Sequence, residues 1–321
     1  MTGRPVAPSP ASGRRSGQTP LSGYAGVFSI LATPFAPDGG LDEGSLRHLA
    51  DALAKAGVNG LTVLGVNGEA AKLLHNERER VVQVVMETVA GRLPVIVGTS
   101  ADGTAIAVEG SRFAADVGAA GVMVAPPTFL ASGPSLTRHY STIGEAAALP
   151  IVLQDYPPVN GVTMTPRAMA ELARAVPWIQ TVKLEGVPTA PRVAQTLELL
   201  KEGVTVVGGL GGTYLLPELR HGASGTMTGF AYPEVLLQIV RAWQEERVED
   251  AFAAYHRYLP LLVLESQIGV GLGLRKEVLR RRGFIEHATT REPSVPLRED
   301  TLRDLAETLE RLEMAATFDH G

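Results

Sequence analysis

The chain has no cysteine, so disulfides, thiolate zinc sites and cysteine nucleophiles are excluded outright. It also lacks any apolar run approaching the roughly 18–20 residues that cross a bilayer, and it shows no apolar core of a secretory leader. No membrane role is therefore expected, and the expected location is cytoplasmic. There is no excess of charge of one sign: 29 Lys and Arg against 34 Asp and Glu leave a formal net charge of −5. Nothing in that balance points to nucleic acid or an anionic membrane as partner. Histidine is sparse and scattered. His48, His75, His139, His221, His256, His287 and His320 fall on expected helices, helix ends or tails, without the clustered spacing of a catalytic zinc. No metal and no cofactor are expected, with one alternative left open, a magnesium site built from Glu69, Asp155 and Glu185.

With 45% hydrophobic and 20% charged residues in 321 positions, the chain has the composition of a soluble globular protein with a large core. Residues 1–22 form a separate zone rich in Ser, Gly and Pro, charged only at Arg4, Arg14 and Arg15, and read as a disordered tail. Pro5, Pro8 and Pro10 work against the amphipathic helix of an organelle transit peptide. From residue 26 apolar strand-like runs alternate with helix-like stretches. The strands fall at 26–33, 60–65, 93–99, 121–125, 150–156, 179–184, 204–208 and 224–228. Their starts lie about 20–35 residues apart, which suits repeated βα units.

The segments between carry helical signals. Leu46, Leu49, Ala50 and Leu53 mark one buried face, and Asn76 with Glu79 resembles a capping box. Gly57-x-x-Gly60, Gly118-x-x-Gly121 and Gly222-x-x-Gly225 repeat one punctuation, a left-handed helix end followed by a strand that begins without a side chain. The expected fold is a closed (β/α)₈ barrel over residues 23–232, followed by a helical region over 233–321. In the latter, Leu302, Leu305, Leu309 and Leu312 recur at helical spacing. An open doubly wound sheet is the competitor, but its Gly-x-Gly-x-x-Gly loop after the first strand is missing. The basic run Arg275-Lys276 with Arg280-Arg281-Arg282 reads as a solvated helix face ending at Gly283.

In such a barrel the strand C-termini gather the chemistry. Lys183 stands in Trp178-Ile179-Gln180-Thr181-Val182-Lys183-Leu184-Glu185-Gly186, and strand alternation sets Thr181, Lys183 and Glu185 on the face opposite Val182 and Leu184. Desolvation in a buried strand favours the neutral amine, and a neutral amine can attack a ketone to give a Schiff base. The plainer alternative is an ion pair with Glu185 or Glu69. Gly65-Val66-Asn67-Gly68-Glu69 leaves the second strand as a turn whose N–H groups, with the Asn67 side chain, can converge on an anion; it can equally be an ordinary loop with Glu69 as a cap. Tyr156 can relay protons or pack on Pro157-Pro158. Gly208-Gly209 and Gly211-Gly212 allow either close backbone approach to a ligand or a tight turn.

Thr33-Pro34-Phe35, Gly65 to Glu69, Ala125-Pro126-Pro127, Pro150-Ile151-Val152-Leu153, the loop from Pro157 to Gly161, and Lys183 occur in an order that resembles a known family. This is the group of Schiff-base-forming aldolases and lyases that includes dihydrodipicolinate synthase and N-acetylneuraminate lyase. The resemblance implies a (β/α)₈ barrel with added C-terminal helices and a homo-oligomer, dimer or tetramer. It also implies that Lys183 forms an imine with pyruvate or another 2-oxo acid. Several positions depart from the pattern. The hydroxyl pair that binds the 2-oxo acid carboxylate is replaced by Val66 and Asn67, and the proton-relaying tyrosine by Gln154, with Tyr156 on the same strand parity as a substitute. A Tyr-Tyr pair is replaced by Thr128-Phe129, and the arginine that holds a semialdehyde carboxylate by Val159. These replacements argue against lysine biosynthesis, and sialic acid is not supported either.

The expectation is an enzyme without a metal that makes or breaks a carbon–carbon bond of a 2-oxo acid, with an aldehyde as second partner for a synthase. Lys183, Tyr156 and Gln154 are the candidate catalytic residues; Val66, Asn67, Gly68, Glu69, Glu185 and Gly209 are candidates for substrate binding. A dehydratase using the same imine is the nearest variant. A catalytically weakened homologue that binds a small acid is the reading from another class.

Overall fold

A computed structural model describes residues 23–314; the expected N-terminal tail and the last seven residues lie outside the described residues. The strands are β1 (Gly26–Ile30), β2 (Gly60–Val63), β3 (Val95–Gly98), β4 (Gly121–Val124), β5 (Ile151–Asp155), β6 (Ile179–Leu184), β7 (Thr205–Val207) and β8 (Gly225–Thr228). All pair in parallel in the order β7-β6-β5-β4-β3-β2-β1-β8. The two edge strands then meet. Gly208 bridges Thr226, Ser224 N donates to Val206 O at 2.8 Å, and Gly208 N to Gly225 O at 3.0 Å. Closure leaves no unpaired edge, and the result is the expected barrel.

The helices are α1 (Glu43–Lys55), α2 (His75–Val89), α3 (Thr104–Asp116), α4 (Pro134–Ala147), the short α5 (Pro157–Asn160), α6 (Pro166–Ala175), α7 (Thr189–Leu199) and α8 (Leu215–Arg220). Then come α9 (Pro233–Gln244), α10 (Val248–Glu265), α11 (Gly271–Arg281) and α12 (Glu299–Arg311). Because strand side chains alternate, the apolar core is split in two. Phe28, Ile30, Ile96, Met123, Val152, Val207 and Met227 fill the barrel, while the outward residues of the same strands pack under the helices. Tyr24 and Phe28 close the floor. Gly60 and Gly121 are bare there because a Cβ would lie 2.2 Å from the Phe28 ring and 2.3 Å from the Tyr24 hydroxyl.

Gly57, Gly118 and Gly222 take φ of 80°, 82° and 96°, the left-handed helix ends anticipated from the repeated punctuation. The cap of α2 differs in position. Leu74 N donates to Glu77 Oε2 at 2.8 Å, so the reach-back comes from Glu77, and Glu79 instead lies 3.5 Å from His75 Nε2. A glutamate reaches back three residues from N3, and the extended Leu74 sets the start of the helix before Asn76. After β8, α9 packs on β1 as the eighth helix of the ring, so a division at 232 falls before the last barrel element. The true appendage is α10 to α12.

The basic run is not a solvated face. Arg275, Lys276 and Arg282 are 4%, 0% and 5% exposed, and only Arg280 and Arg281 of the cluster reach solvent substantially. Gly271, Leu274, Arg275, Val278, Leu279 and Arg282 follow helical spacing on one buried side. The chain after α11 then crosses back to the barrel. Arg291 forks onto Glu77 at 2.6 and 2.8 Å, and its N donates to Glu69 at 3.0 Å.

The β8–β1 seam yields a stability prediction. Gly225 has φ +149°, and a Cβ on it would stand 2.0 Å from Gly26 O, whereas Gly91 has φ +76° with nothing near. Gly91→Ala carries backbone strain alone, roughly 1–2 kcal/mol, while Gly225→Ala adds a backbone clash and should cost well over about 2 kcal/mol. Urea unfolding of the two variants checks the order; equal midpoints would refute it.

Candidate active site

β5 and β6 run side by side with Gln154 paired to Lys183. Both side chains point into the barrel above Val152 and Thr181, at the level where the apolar filling ends. Lys183 is 2% exposed, among the largest fully buried side chains in the protein. Its Nζ lies 2.9 Å from Glu185 Oε2. The same oxygen accepts from Gln154 Nε2 at 2.9 Å, and Glu185 Oε1 accepts from Leu210 N at 3.3 Å. Lys183 thus pairs with Glu185 and not with Glu69.

Gly209 explains how a carboxylate fits there. A Cβ on Gly209 would be 2.3 Å from Glu185 Oε1, and one on Gly208 would be 1.7 Å from Glu218 Oε2. The diglycine is therefore a thin wall with a buried carboxyl group on each side. Close approach does occur at Gly209, but the protein's own Glu185 makes it. Gly211 and Gly212, with φ of 69° and 82°, form the tight turn that follows.

The Tyr156 ring centroid is 5.9 Å from Lys183 Nζ, so the ring faces the amine. Burial, reinforced by the nearby Glu185 charge and opposed by Arg275, pushes its phenol up to about 12. It keeps its proton at neutral pH.

Val66, Asn67 and Gly68 form a 3₁₀ turn in which Gly68 N and Glu69 N bond back to Gly65 O and Val66 O, both at 3.0 Å. The Val66 and Asn67 amides open that turn and have no place in its internal bonds. Thr33 Oγ1 donates to Gly68 O at 2.6 Å and fixes the turn against β1. Glu69 has partners of its own. Its two oxygens take Lys276 Nζ at 2.5 Å, Lys72 Nζ at 3.0 Å and Arg291 N at 3.0 Å, so it anchors the C-terminal segment over the mouth. Phe35 lies under that anchor, with Lys276 and Arg291 at 4.4 and 4.3 Å from its ring.

Asp155 faces outward, where Arg192 Nη2 lies 2.7 Å from it. Glu69, Asp155 and Glu185 therefore serve three different partners, and among the described residues no group of three metal-binding side chains comes together. No helix among them is long and apolar enough to cross a membrane.

A buried lysine near the C-terminal end of a strand in a (β/α)₈ barrel suits imine chemistry. The chain belongs to the dihydrodipicolinate synthetase family, which it matches over residues 23–312. Among curated proteins it is similar to the L-2-keto-3-deoxyarabonate dehydratase of Azospirillum brasilense, 32% identical over 297 residues, 90% of this chain and 95% of the relative. It is also similar to the 4-hydroxy-tetrahydrodipicolinate synthase of Methanothrix thermoacetophila, 31% identical over 74% of this chain and 81% of that protein. Among solved structures, dihydrodipicolinate synthase from Rhodopseudomonas palustris superposes with a TM-score of 0.86 at 34% identity, covering 92% of this chain and 99% of that one. The chain is thus an enzyme of this family, a class I Schiff-base lyase.

Arg275, Glu265 and Glu218 escaped the reading of the sequence. Helical spacing could have found Arg275, because it shares a face with Leu274 and Val278. Glu218 gives a pH prediction. Burial pushes its carboxyl up to about 8 from the ordinary 4.5. The folded state then holds a proton that the unfolded chain releases, so this group costs stability progressively as pH rises from about 4.5 to about 8. Glu218→Gln should flatten that decline and leave stability near pH 4 unchanged, as read by thermal melts across the range.

Proposed function

We propose that the enzyme is a dehydratase of 2-oxo acids that carry a hydroxyl on the second carbon beyond the keto group, and that it works through an imine on Lys183. The observation that carries this reading is the single carboxylate of Glu185, which touches Lys183 Nζ and Gln154 Nε2 at once. Lys183 attacks the keto carbon; water leaves and a protonated imine forms. Glu185 is the base next to the nitrogen, and it takes a proton from the carbon beside the imine, giving the enamine. The enamine pushes out the hydroxyl on the next carbon. Glu185 returns its proton to that oxygen, so a second water leaves, and hydrolysis of the conjugated imine frees the product and the amine.

A single group that removes one proton and delivers it to an adjacent leaving hydroxyl suits elimination, and Gln154 holds that group by a neutral hydrogen bond without competing for the proton. The dehydratase name of the Azospirillum brasilense relative, similar over almost the whole of both chains, supports the same choice. On this reading the partners are a small 2-oxo acid and, as the family resemblance implies, further copies of the chain in the cytoplasm. One similar structure, at 27% identity and a TM-score of 0.85, is a monomeric synthase variant, so light scattering on the purified protein tests the assembly.

Pyruvate with borohydride should add a reduced adduct to the wild type and none to Lys183→Ala, by intact mass. With L-2-keto-3-deoxyarabonate as probe, the product should be one water lighter than the substrate. Release of pyruvate and an aldehyde instead would return the enzyme to carbon–carbon chemistry. Glu185→Gln should still form the adduct but lose on the order of 10²–10⁴ in turnover, the usual worth of a general acid–base group. Tyr156→Phe should lose less than about tenfold; a larger loss there than in Glu185→Gln would show that the proton relay is the tyrosine.

A further inference from the structure

The turn that carries Leu210 N is strained, and a hydroxyl on the next strand holds it in place. Leu210, Gly211 and Gly212 follow one another with φ of 46°, 69° and 82°, a run of left-handed backbone. Leucine avoids that conformation, because its Cβ crowds the following carbonyl oxygen. Such strain persists only where the surroundings over-determine it, and it gathers at working sites.

Here the turn is held from two directions. From β8, Thr228 Oγ1 accepts from Gly211 N at 2.9 Å in a buried hydrogen bond. Met227 fills the barrel, so strand alternation sets Thr228 on the outward face, where the turn passes. From α10, Tyr255 Oη donates to Thr213 O at 2.6 Å. A Cβ on Gly211 would stand 3.0 Å from Ser266 Cβ, and one on Gly212 2.8 Å from Leu236 Cδ2, so the turn has little room to relax.

This clamp decides where each amide of the turn goes. Gly212 N closes on Gly209 O at 2.9 Å, and Gly211 N is taken by Thr228. Leu210 N is left to reach Glu185 Oε1 at 3.3 Å. The other oxygen, Oε2, is shared by Lys183 and Gln154, so Leu210 N fixes the side of the carboxylate that the amine does not. A carboxylate held at both oxygens cannot swing about its last bond. Misplacing a catalytic group by about 1 Å can cost on the order of 10²-fold, so the hold bears directly on rate.

We propose that Thr228 is a positioning residue for the reaction: its hydroxyl locks the turn so that Leu210 N holds Glu185 Oε1 and Oε2 stays against Lys183. The proposal deepens the function given above and rests on its assignment of Glu185 as the base. Thr228 makes no hydrogen bond to Glu185 or Lys183 among the described residues; it acts only through the turn.

Hydrogen exchange at the methyl group of pyruvate isolates the proton step. In deuterium oxide the wild type should form the imine on Lys183, lose a methyl proton to Glu185 and take back a deuteron. Proton NMR reads this as decay of the methyl signal, with Lys183→Ala as the background. Thr228→Val, close in shape but without an acceptor, should slow the decay on the order of tenfold, the worth of one hydrogen bond to a charged group. Borohydride trapping of pyruvate by the same variant should match the wild type, since the amine is untouched. Thr228→Ser restores the acceptor and should restore most of the exchange.

Exchange at the wild-type rate in Thr228→Val overturns the proposal. So does trapping that falls in step with exchange, which would mean a general loosening of the site. Thr228→Ala gives the same comparison if the valine protein does not fold, and equal exchange in the alanine and serine proteins overturns the proposal too. A wild type that exchanges pyruvate protons but leaves L-2-keto-3-deoxyarabonate undehydrated sinks the elimination and leaves the role of Thr228 standing. A wild type with no exchange above Lys183→Ala sinks Glu185 as the base, and the positioning role with it.

Discussion

A carboxylate buried inside a barrel must be satisfied from every side, and Glu185 shows what that demands. It is 4% exposed and takes its donors from three successive strands or their ends: Gln154 on β5, Lys183 on β6 and Leu210 N after β7. Those donors must come from a wall that leaves room for the carboxylate, which is why Gly209 has no side chain. Removing one partner of such a buried pair costs on the order of 3–5 kcal/mol, because the other charge is left without compensation. The pairing therefore ties the register of β5 against β6 to the chemistry. A slip of one residue would turn Lys183 and Gln154 outward and Val182 and Leu153 inward.

Around this centre the barrel supplies size exclusion from below and charge from above. Phe28, Ile96, Met123, Val152 and Met227 fill the lumen below the level of Lys183, so the space for a ligand lies above them. The C-terminal appendage brings cations to the rim, each matched with a carboxylate: Lys276 with Glu69, Arg291 with Glu77, Arg275 with Glu265, and Arg282 with Glu234. Burial presses the Lys276 ammonium down to about 8, and Glu69 works against that fall. The appendage thus meets the barrel through three ion pairs, Lys276 with Glu69, Arg291 with Glu77 and Arg282 with Glu234, the first of them buried on both sides.

Much of this was legible from residues. Strand alternation placed Lys183 and Glu185 on one face, and the repeated Gly-x-x-Gly punctuation anticipated left-handed turns at Gly57, Gly118 and Gly222. What escaped has a common cause: it depends on partners distant in the chain. Glu69 looked like a ligand for substrate because its partners, Lys276 and Arg291, lie more than two hundred residues away. Arg275 and Lys276 looked solvated because a basic run near a helix end usually is, and periodicity along α11 was outweighed by composition. Gly209 looked like room for a ligand, when the room is used by Glu185. The α2 cap shifted because either of two glutamates, Glu77 or Glu79, could serve, and only the backbone of Leu74 decides between them.

The replacement of a tyrosine by Gln154 changes which group can carry the proton. A phenol at that position would stand against the imine and relay protons itself; a carboxamide has no proton to give and can only orient. The burden then passes to whatever Gln154 orients, and its Nε2 donates to Glu185. Tyr156 stands near the same amine, with a phenol that burial and Glu185 push up to about 12. On the proposed reading, the chemistry that goes with this substitution is loss of water from a bound 2-oxo acid, with the protonated imine on Lys183 as the electron sink.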